Sequence, residues 1–218
     1  MNEPERTTFQ IITFGKKAEQ MFHKKPYINE YISHADCKGK DVVLVVTDDA
    51  AIYETEIAQA LAVVDNGSPR HLVLDMNAAN DADKFRALWQ HYNKVENPRT
   101  VKRFIDMTLQ HLVWSNGIIP FKPHELLDTC SAGEYIGSIY VENGLDALKD
   151  VDAPSNAMAL AVGVGFSFAH YATMDQMDAL HEYFKRFHED VPVKWSLACS
   201  IHAISGEDNV IIVYSYNK

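Results

Sequence analysis

Nothing in this sequence approaches the roughly 20 consecutive apolar residues that a membrane-spanning helix requires, which argues against a bilayer span. Basic runs are equally scarce. The longest is Lys24-Lys25, in a chain whose 30 acidic and 20 basic side chains leave a formal charge of −10. That sign repels nucleic acid and anionic lipid, so neither is expected as a partner. Cysteine is sparse: Cys37, Cys130 and Cys199 stand alone, with no C-x-x-C spacing. An odd, scattered set fits a reducing compartment and argues against a disulfide framework. The polar, acidic opening Met-Asn-Glu-Pro-Glu-Arg is the opposite of a secretory signal, and a cytoplasmic protein is expected. Internal repeats, low-complexity tracts and Gly/Ser linkers are also missing.

What is present is an ordinary globular mix: 218 residues, 47% apolar and 23% charged, enough to bury a real core. Thr8–Phe14 reads as a strand, followed by a short helix over Lys16–His23. Val42–Val46 is an unbroken apolar run of strand length, the pattern of a strand covered on both faces. Thr47-Asp48-Asp49 offers helix caps before Ile52, Ala58, Leu61 and Ala62 at helical spacing, and Asn66-Gly67-Ser68-Pro69 stops that helix. His71–Asp75 is a third strand. Asp81–Tyr92 is expected as a helix with Phe85, Leu88 and Trp89 on one face. This β-α-β-α rhythm predicts a small parallel sheet, about half of a doubly wound domain.

Asn97-Pro98 then caps a long helix, with apolar residues from Val101 to Val113 at steps of three and four, up to Asn116-Gly117. Beyond it come a short helix around His124–Cys130 and a strand at Tyr135–Val141. From Ala157 to Phe168 the chain alternates in size: Met158, Leu160, Val162, Val164, Phe166 and Phe168 on one face, alanines and glycines on the other. The small face invites close approach by another element. Thr173 to Gln176 is a capping box opening a helix with Met174, Met177, Leu180, Phe184 and Phe187 on its buried stripe and a Glu182–Arg186 pair outside. Val193–Ile201 and Val210–Tyr216, joined across Gly206-Glu207-Asp208, are expected to close the chain as an antiparallel hairpin.

An α/β domain, a long central helix and a smaller mixed α/β domain is the layout of tubulin and FtsZ, and several segments resemble that family in order. Val113-Trp114-Ser115-Asn116-Gly117-Ile118-Ile119 resembles the end of its central helix, where a Leu-Ile-Thr-x-Pro-Gly-Leu-Ile-Asn pattern enters the catalytic loop. Phe121–Cys130 is similar to the helix after that loop, and Glu134-Tyr135-Ile136-Gly137-Ser138 to the strand usually written G-x-A-x-x-G-x-G. Ala159–Phe166 resembles its V-L-V-N-I-T-x-G-x strand, and Val210–Tyr214 its closing R-V-T-V-I-A-T strand. The similarity spans Val42–Tyr216 and is stronger after Asn97. It implies a truncated Rossmann-like sheet in a nucleotide-domain remnant over residues 7–96. The central helix and an FtsZ C-terminal-like domain would then occupy 97–218.

The departures from the family matter more. Its G-G-G-T-G-T-G loop lets backbone amides close on GTP phosphates at a helix N-terminus. At the corresponding place stand Ala50, Ala51, Ile52, Tyr53, Glu54, Thr55 and Glu56, with Asp48 and Asp49 before them. The side chains of Ile52 and Tyr53 are expected to occupy the approach. A carboxylate about 4 Å from a phosphate costs about 4 kcal/mol at a near-surface dielectric. The family's first glycine cluster is reduced to Gly15, followed by Lys16 and Lys17, which could attract phosphate only unspecifically without a nest of amides. The stretch that would supply sugar and base contacts is missing between Phe22 and Lys40. In the catalytic loop the N-x-D-x-x-D positions become Pro120, Lys122 and Glu125, so one carboxylate survives and the pair that would activate water is broken.

No catalytic residue, cofactor or metal is therefore expected, and the chain reads as a pseudo-GTPase. By resemblance its partner is itself or a tubulin-like filament protein, in a cytoskeletal process such as cell division, with Pro120, Lys122 and Glu125 on the contact face. Two alternatives stay open: an atypical GTPase completed by a partner chain, using Lys16, Lys17 and Glu125, and an unrelated small α/β enzyme. Other constellations have plainer readings. Asp48, Asp49, Glu54 and Glu56 suit a hard cation, but acids also stabilise a helix N-terminus through its dipole. His181 and His188 lie two turns apart without a zinc-binding spacing. Cys199 and His202 face opposite ways on one strand. Cys130, near His124 and Glu125, reads as a buried structural thiol. Trp114 and the Tyr214/Tyr216 pair fit either core or interface.

Overall fold

The computed structural model describes residues 7–22, 26–32, 40–64, 70–114, 119–166, 173–199 and 208–218. Expectations placed on Lys24-Lys25, Cys37, Asn66–Pro69, Ser115–Ile118, Phe168, His202 and Gly206-Glu207 lie outside these residues. The chain divides into two compact units, Met1–Val101 and Lys102–Lys218. The division falls in the first turn of a helix that starts at Pro98.

The first unit is α/β. Strands β1 (Phe9–Phe14), β2 (Val42–Thr47), β3 (Arg70–Asp75) and β4 (Tyr92–Lys94) are all parallel and lie side by side in sequence order. Between them run α1 (Lys16–Phe22), α2 (Pro26–Asn29), α3 (Glu54–Val64) and α4 (Ala82–Leu88). Every residue of β2 is buried, as its unbroken apolar run requires of a strand covered on both faces. One core cluster gathers Ile12, Val43, Val45 and Val73 with Ile57, Leu61, Phe85 and Trp89. The open edge of β1 is covered at Ile11, whose N–H donates to the Tyr31 carbonyl at 2.7 Å.

Two boundaries differ from the sequence reading. Helix α3 begins at Glu54, because Thr47 to Tyr53 is taken up by the end of β2 and by a turn in which Asp49 accepts the Ala51 N–H at 2.9 Å. Helix α4 stops at Leu88, and Tyr92 opens a strand instead of closing a helix. Aromatic packing explains this second change. Phe85 stacks on Trp89 and also meets Tyr92, each at a centroid distance of 5.2 Å. Holding Trp89 and Tyr92 against Phe85 requires the extended backbone that Trp89 adopts. Leu88, expected on the buried stripe, is 53% exposed as a result.

The second unit holds α6 (Pro123–Ser131), β5 (Tyr135–Glu142), a 3-10 helix (Gly144–Asp150), β6 (Ala157–Phe166), α7 (Met174–Phe184), β7 (Val193–Cys199) and β8 (Asn209–Tyr216). The long helix expected before α6 is present as α5 (Pro98–Thr108), continued by a π-turn at Leu109–Val113 that sequence reasoning did not foresee. Strand order is β5-β8-β6-β7. Strand β8 is antiparallel to both neighbours, while β6 and β7 are parallel across the α7 crossover. The expected β7–β8 hairpin is thus wrong. The apolar run Val210–Val213, buried throughout, takes a central position, while β7, carrying the exposed Lys194, lies outermost.

The two faces of β6 behave as their side chains dictate. Leu160, Val162, Val164 and Phe166 join a core with Leu180, Tyr183 and Ile212. On the other face, Gly163 lies under His111 and Gly165 under Gln110, both on the π-turn. A Cβ at Gly163 would sit 2.6 Å from the His111 ring, and one at Gly165 would fall on the Gln110 amide. The capping box of α7 is formed: Thr173 N–H donates to Gln176 Oε1 at 3.1 Å and Gln176 N–H to Thr173 Oγ1 at 3.3 Å. Met174 is 76% exposed, however, and Tyr183 takes part in the core the stripe was expected to fill. Glu182 pairs with Lys185 at 2.5 Å rather than with Arg186. Arg186 turns back to donate to the carbonyls of Val151 and Lys149, at 2.8 Å each. No helix among the described residues is long and apolar enough to cross a membrane.

Candidate functional site

In parallel α/β sheets ligands gather beyond the carboxyl ends of the strands, where loops and helix N-termini converge. In the first unit that rim carries Gly15 after β1, Asp48 and Asp49 after β2, and Asp75, Asn77 and Asn80 at and after β3. Each carboxylate on it has been drawn inward by donors of the same chain.

Asp48 crosses to the start of α1. Its carboxylate accepts the N–H groups of Lys17 at 2.9 Å and Ala18 at 2.7 Å, the free donors of a helix N-terminus. Gly15 makes room for it. Its φ of +99° suits glycine, and a Cβ there would lie 2.5 Å from the Asp48 carboxylate. The Gly15-Lys16-Lys17 segment, read as an unspecific phosphate attractor, therefore already holds an anion. Both lysine side chains are exposed.

Asp49 faces the next loop. It accepts Asn77 Nδ2 at 2.7 Å, Asn80 Nδ2 at 2.9 Å and the Ala51 N–H at 2.9 Å. Partial burial disfavours its charge, but the hydrogen bonds from Asn80, Asn77 and the backbone of Ala51 and Ile52 outweigh that cost. They hold its carboxyl below the usual range. Asn80 Nδ2 also donates to Asp75 at 2.7 Å, linking the two acids. Asp75, fully buried, further accepts Tyr92 Oη at 2.6 Å and the Asn77 N–H at 2.9 Å. Sequence reasoning missed Asp75, Asn77, Asn80 and Tyr92. The available signal was the Asp-Met-Asn-Ala-Ala-Asn run directly after an apolar strand, since Asn and Asp at such a place bond their own loop.

Ile52 is 69% exposed, and Tyr53 packs against Phe14 with centroids 6.1 Å apart. It is the Asp48 carboxylate that meets the first amides of α1, whose free donors favour an anion. Glu54 is engaged with Lys84 at 2.7 Å, and Thr55 and Glu56 are exposed at the start of α3. Asp48, Asp49 and Glu54 thus go to separate partners and Glu56 is exposed, so the four do not converge on a cation. Among the described residues no group of three or more His, Cys, Asp or Glu side chains is placed to hold a metal ion. The order β1-β2-β3-β4 also has no reversal, so these strands do not open the crevice of a doubly wound sheet.

In the second unit Pro120 and Lys122 are exposed and Glu125 is half-buried. Glu125 Oε2 accepts the Lys122 N–H at 2.9 Å, so the surviving carboxylate caps α6. Cys130 is fully buried, and burial pushes its thiol well above the ordinary range, as befits a structural residue. His188 meets Asp190 at 3.1 Å on an open surface.

No protein-family model matches the chain, and no curated protein matches it. Solved structures do. TubZ from Bacillus thuringiensis serovar israelensis, in GDP-form protofilaments, is 10% identical over 97% of this chain and 84% of its own, with a TM-score of 0.48. CetZ from Methanosaeta thermophila is 10% identical over 95% of this chain and 61% of its own, at 0.42. An empty FtsZ dimer from M. jannaschii is 11% identical over 81% of this chain, at 0.41. The likeness is one of fold. The chain spans only 55% of the length of that FtsZ.

Proposed function

We propose that this chain is a pseudo-GTPase of the FtsZ/tubulin type, working in the cytoplasm through protein–protein contact or self-assembly in a cytoskeletal process such as cell division. Residues 7–96 are then the remnant of a nucleotide domain and 97–218 the part that keeps the family's interaction scaffold. The observation that carries this reading is the Asp48 carboxylate on the first amides of α1, at 2.7 and 2.9 Å. An internal anion at that position needs no ligand and repels one, since a phosphate would compete for the same N–H groups at a cost of several kcal/mol. Glu125 supports the reading further, because a carboxylate bound to its own helix start is poorly free to orient water. Pro120 and Lys122, exposed beside it, are the proposed contact residues, with an anionic surface on a second copy or on a tubulin-like filament protein as counterpart.

The test is a calorimetric titration of GTP and GDP, with Mg²⁺, to about 1 mM, which reaches binding near −4 kcal/mol. Silence is expected, together with concentration-dependent sedimentation that GTP leaves unchanged. Micromolar binding would overturn the reading and favour an atypical GTPase.

A further inference from the structure

Pro120 and Lys122 lie on a segment with no regular structure beyond one bridge to β7. An exposed segment of that kind must be ordered on binding, with a loss of affinity, unless the fold already holds it. Here it is held at three points. Ile119 exchanges two backbone bonds with Leu197 of β7, at 3.3 and 3.0 Å. Phe121 is buried. The Lys122 N–H ends on Glu125 Oε2 at 2.9 Å. The side chains of Pro120 and Lys122 stay exposed among these anchors.

Two of the three anchors lead to one buried side chain. His111, on the π-turn, is fully buried. Its Nδ1 lies 3.0 Å from Ser196 Oγ, which gives its single proton to the Ile119 carbonyl at 2.8 Å. The histidine is therefore the donor in their contact, with Nδ1 protonated. The same ring meets Phe121 edge-on, at a centroid distance of 6.0 Å. Gly163 of β6 makes the place for it, since a Cβ there would come within 2.6 Å of the ring. The small face of β6 thus lets the imidazole lie deep enough to reach both Ser196 and Phe121. A leucine could fill that slot, but it carries no donor for Ser196. His111 Nε2 has no partner among the described residues, so a histidine here is a costly way merely to fill space.

We propose that His111 is a positioning residue for the contact face. Through Ser196 and Phe121 it fixes residues 119–122 in the extended conformation that turns Pro120 and Lys122 outward. The proposal rests on the reading of those two residues as a contact face. The holding of the segment can be measured without it.

Backbone relaxation and amide exchange by NMR, on the full chain in dilute solution, read the holding. Residues 119, 121 and 122 of the parent should show order parameters of about 0.85, as in rigid backbone. Ser196→Ala should lower that of Ile119 to about 0.6 and speed the Ile119 and Leu197 amides about tenfold, with Val162 and Ile212 unchanged. Two substitutions of His111 should then split the anchors. His111→Asn keeps a donor toward Ser196, so Ile119 should stay protected while Phe121 loosens. His111→Leu fills the slot without a donor, so Phe121 should stay and Ile119 should loosen. Simple loss of packing would not give this crossed pattern. Gly163→Ala, which pushes the ring from its place, should loosen both, and should it fail to fold, the crossed pair decides. An unchanged segment in Ser196→Ala and His111→Leu, or equal loosening of β6 and β8, would overturn the proposal.

Sedimentation separates this from the contact reading. Ser196→Ala and Lys122→Ala should each raise the concentration for half-assembly about tenfold, a change of about 1.4 kcal/mol. Lys122→Ala losing assembly while Ser196→Ala keeps it would overturn the positioning alone. A parent that stays monomeric, or Lys122→Ala without effect, counts against the contact reading, and the crossed pattern still decides whether His111 holds the segment.

Discussion

The rim of the first unit and the π-turn of the second are both buried or half-buried polar clusters, and they are solved in opposite ways. On the rim, Asp48, Asp49 and Asp75 accept from backbone amides, two asparagines and a tyrosine, so every acid has a donor from its own chain. At the π-turn, the Gln110 side chain and His111 Nε2 have no hydrogen-bond partner among the described residues. A finished network is rigid and asks for nothing further. An unfinished one is maintained only by the shape around it, and a small change in that shape redirects it.

Breaking the rim should therefore cost more than any change that spares its network. Asp75→Ala removes the fully buried acceptor shared by Tyr92 Oη, Asn80 Nδ2 and the Asn77 N–H, leaving Asn80 its bond to Asp49, and about 4 kcal/mol of stability should be lost. Urea unfolding followed by tryptophan fluorescence measures it, with Trp89 beside Tyr92 as the local reporter. A loss below about 1 kcal/mol would mean that the rim is as loosely satisfied as the π-turn.

Acid should act on the other cluster first. Burial pushes the His111 imidazole down to about 3, against 6.5 when exposed. The folded state thus keeps it neutral while the unfolded state binds a proton as pH falls below 6.5. The sign follows: stability is full above pH 6.5 and declines on acidification until about pH 3, by about 1.4 kcal/mol per unit, or about 2 kcal/mol by pH 5. His111→Asn keeps a donor toward Ser196 but cannot be protonated. Between pH 6.5 and about 3 the stability of the variant should fall less steeply than that of the parent, by the amount given above, whatever the other histidines contribute.

How much of this was legible in the sequence follows from how far each cause lies along the chain. Local causes were readable: the all-apolar β2, the Thr173–Gln176 cap, and the size alternation of β6 that announced a close approach from above. Distant ones were not. Nothing near Asp48 says that its carboxylate will reach the start of α1, whose first free amide lies 31 residues earlier. Three aromatics took Trp89 and Tyr92 out of a plausible helix. The hairpin failed because neighbouring strands in sequence are only a default, and the more apolar β8 gained more by entering the sheet centre. A π-turn has no sequence signature at all, since its periodicity departs from the α-helix by a single residue.

Asp48→Ala is the smallest perturbation and the sharpest test of the comparison. The variant loses one side-chain cap on a helix of seven residues, so about 1 kcal/mol of stability should go, readable as a modest shift in urea midpoint with an unchanged slope. The informative part is what the emptied position then accepts. Asp49 stays locked by Asn77 and Asn80, no glycine run replaces Ala50–Glu56, and α1 offers only two amides released from the carboxylate. GTP titrated to about 1 mM should still give no heat. Micromolar binding gained by this one substitution would show that a single internal anion was the only obstacle, and that the rim is a nucleotide site held shut rather than one that has been dismantled.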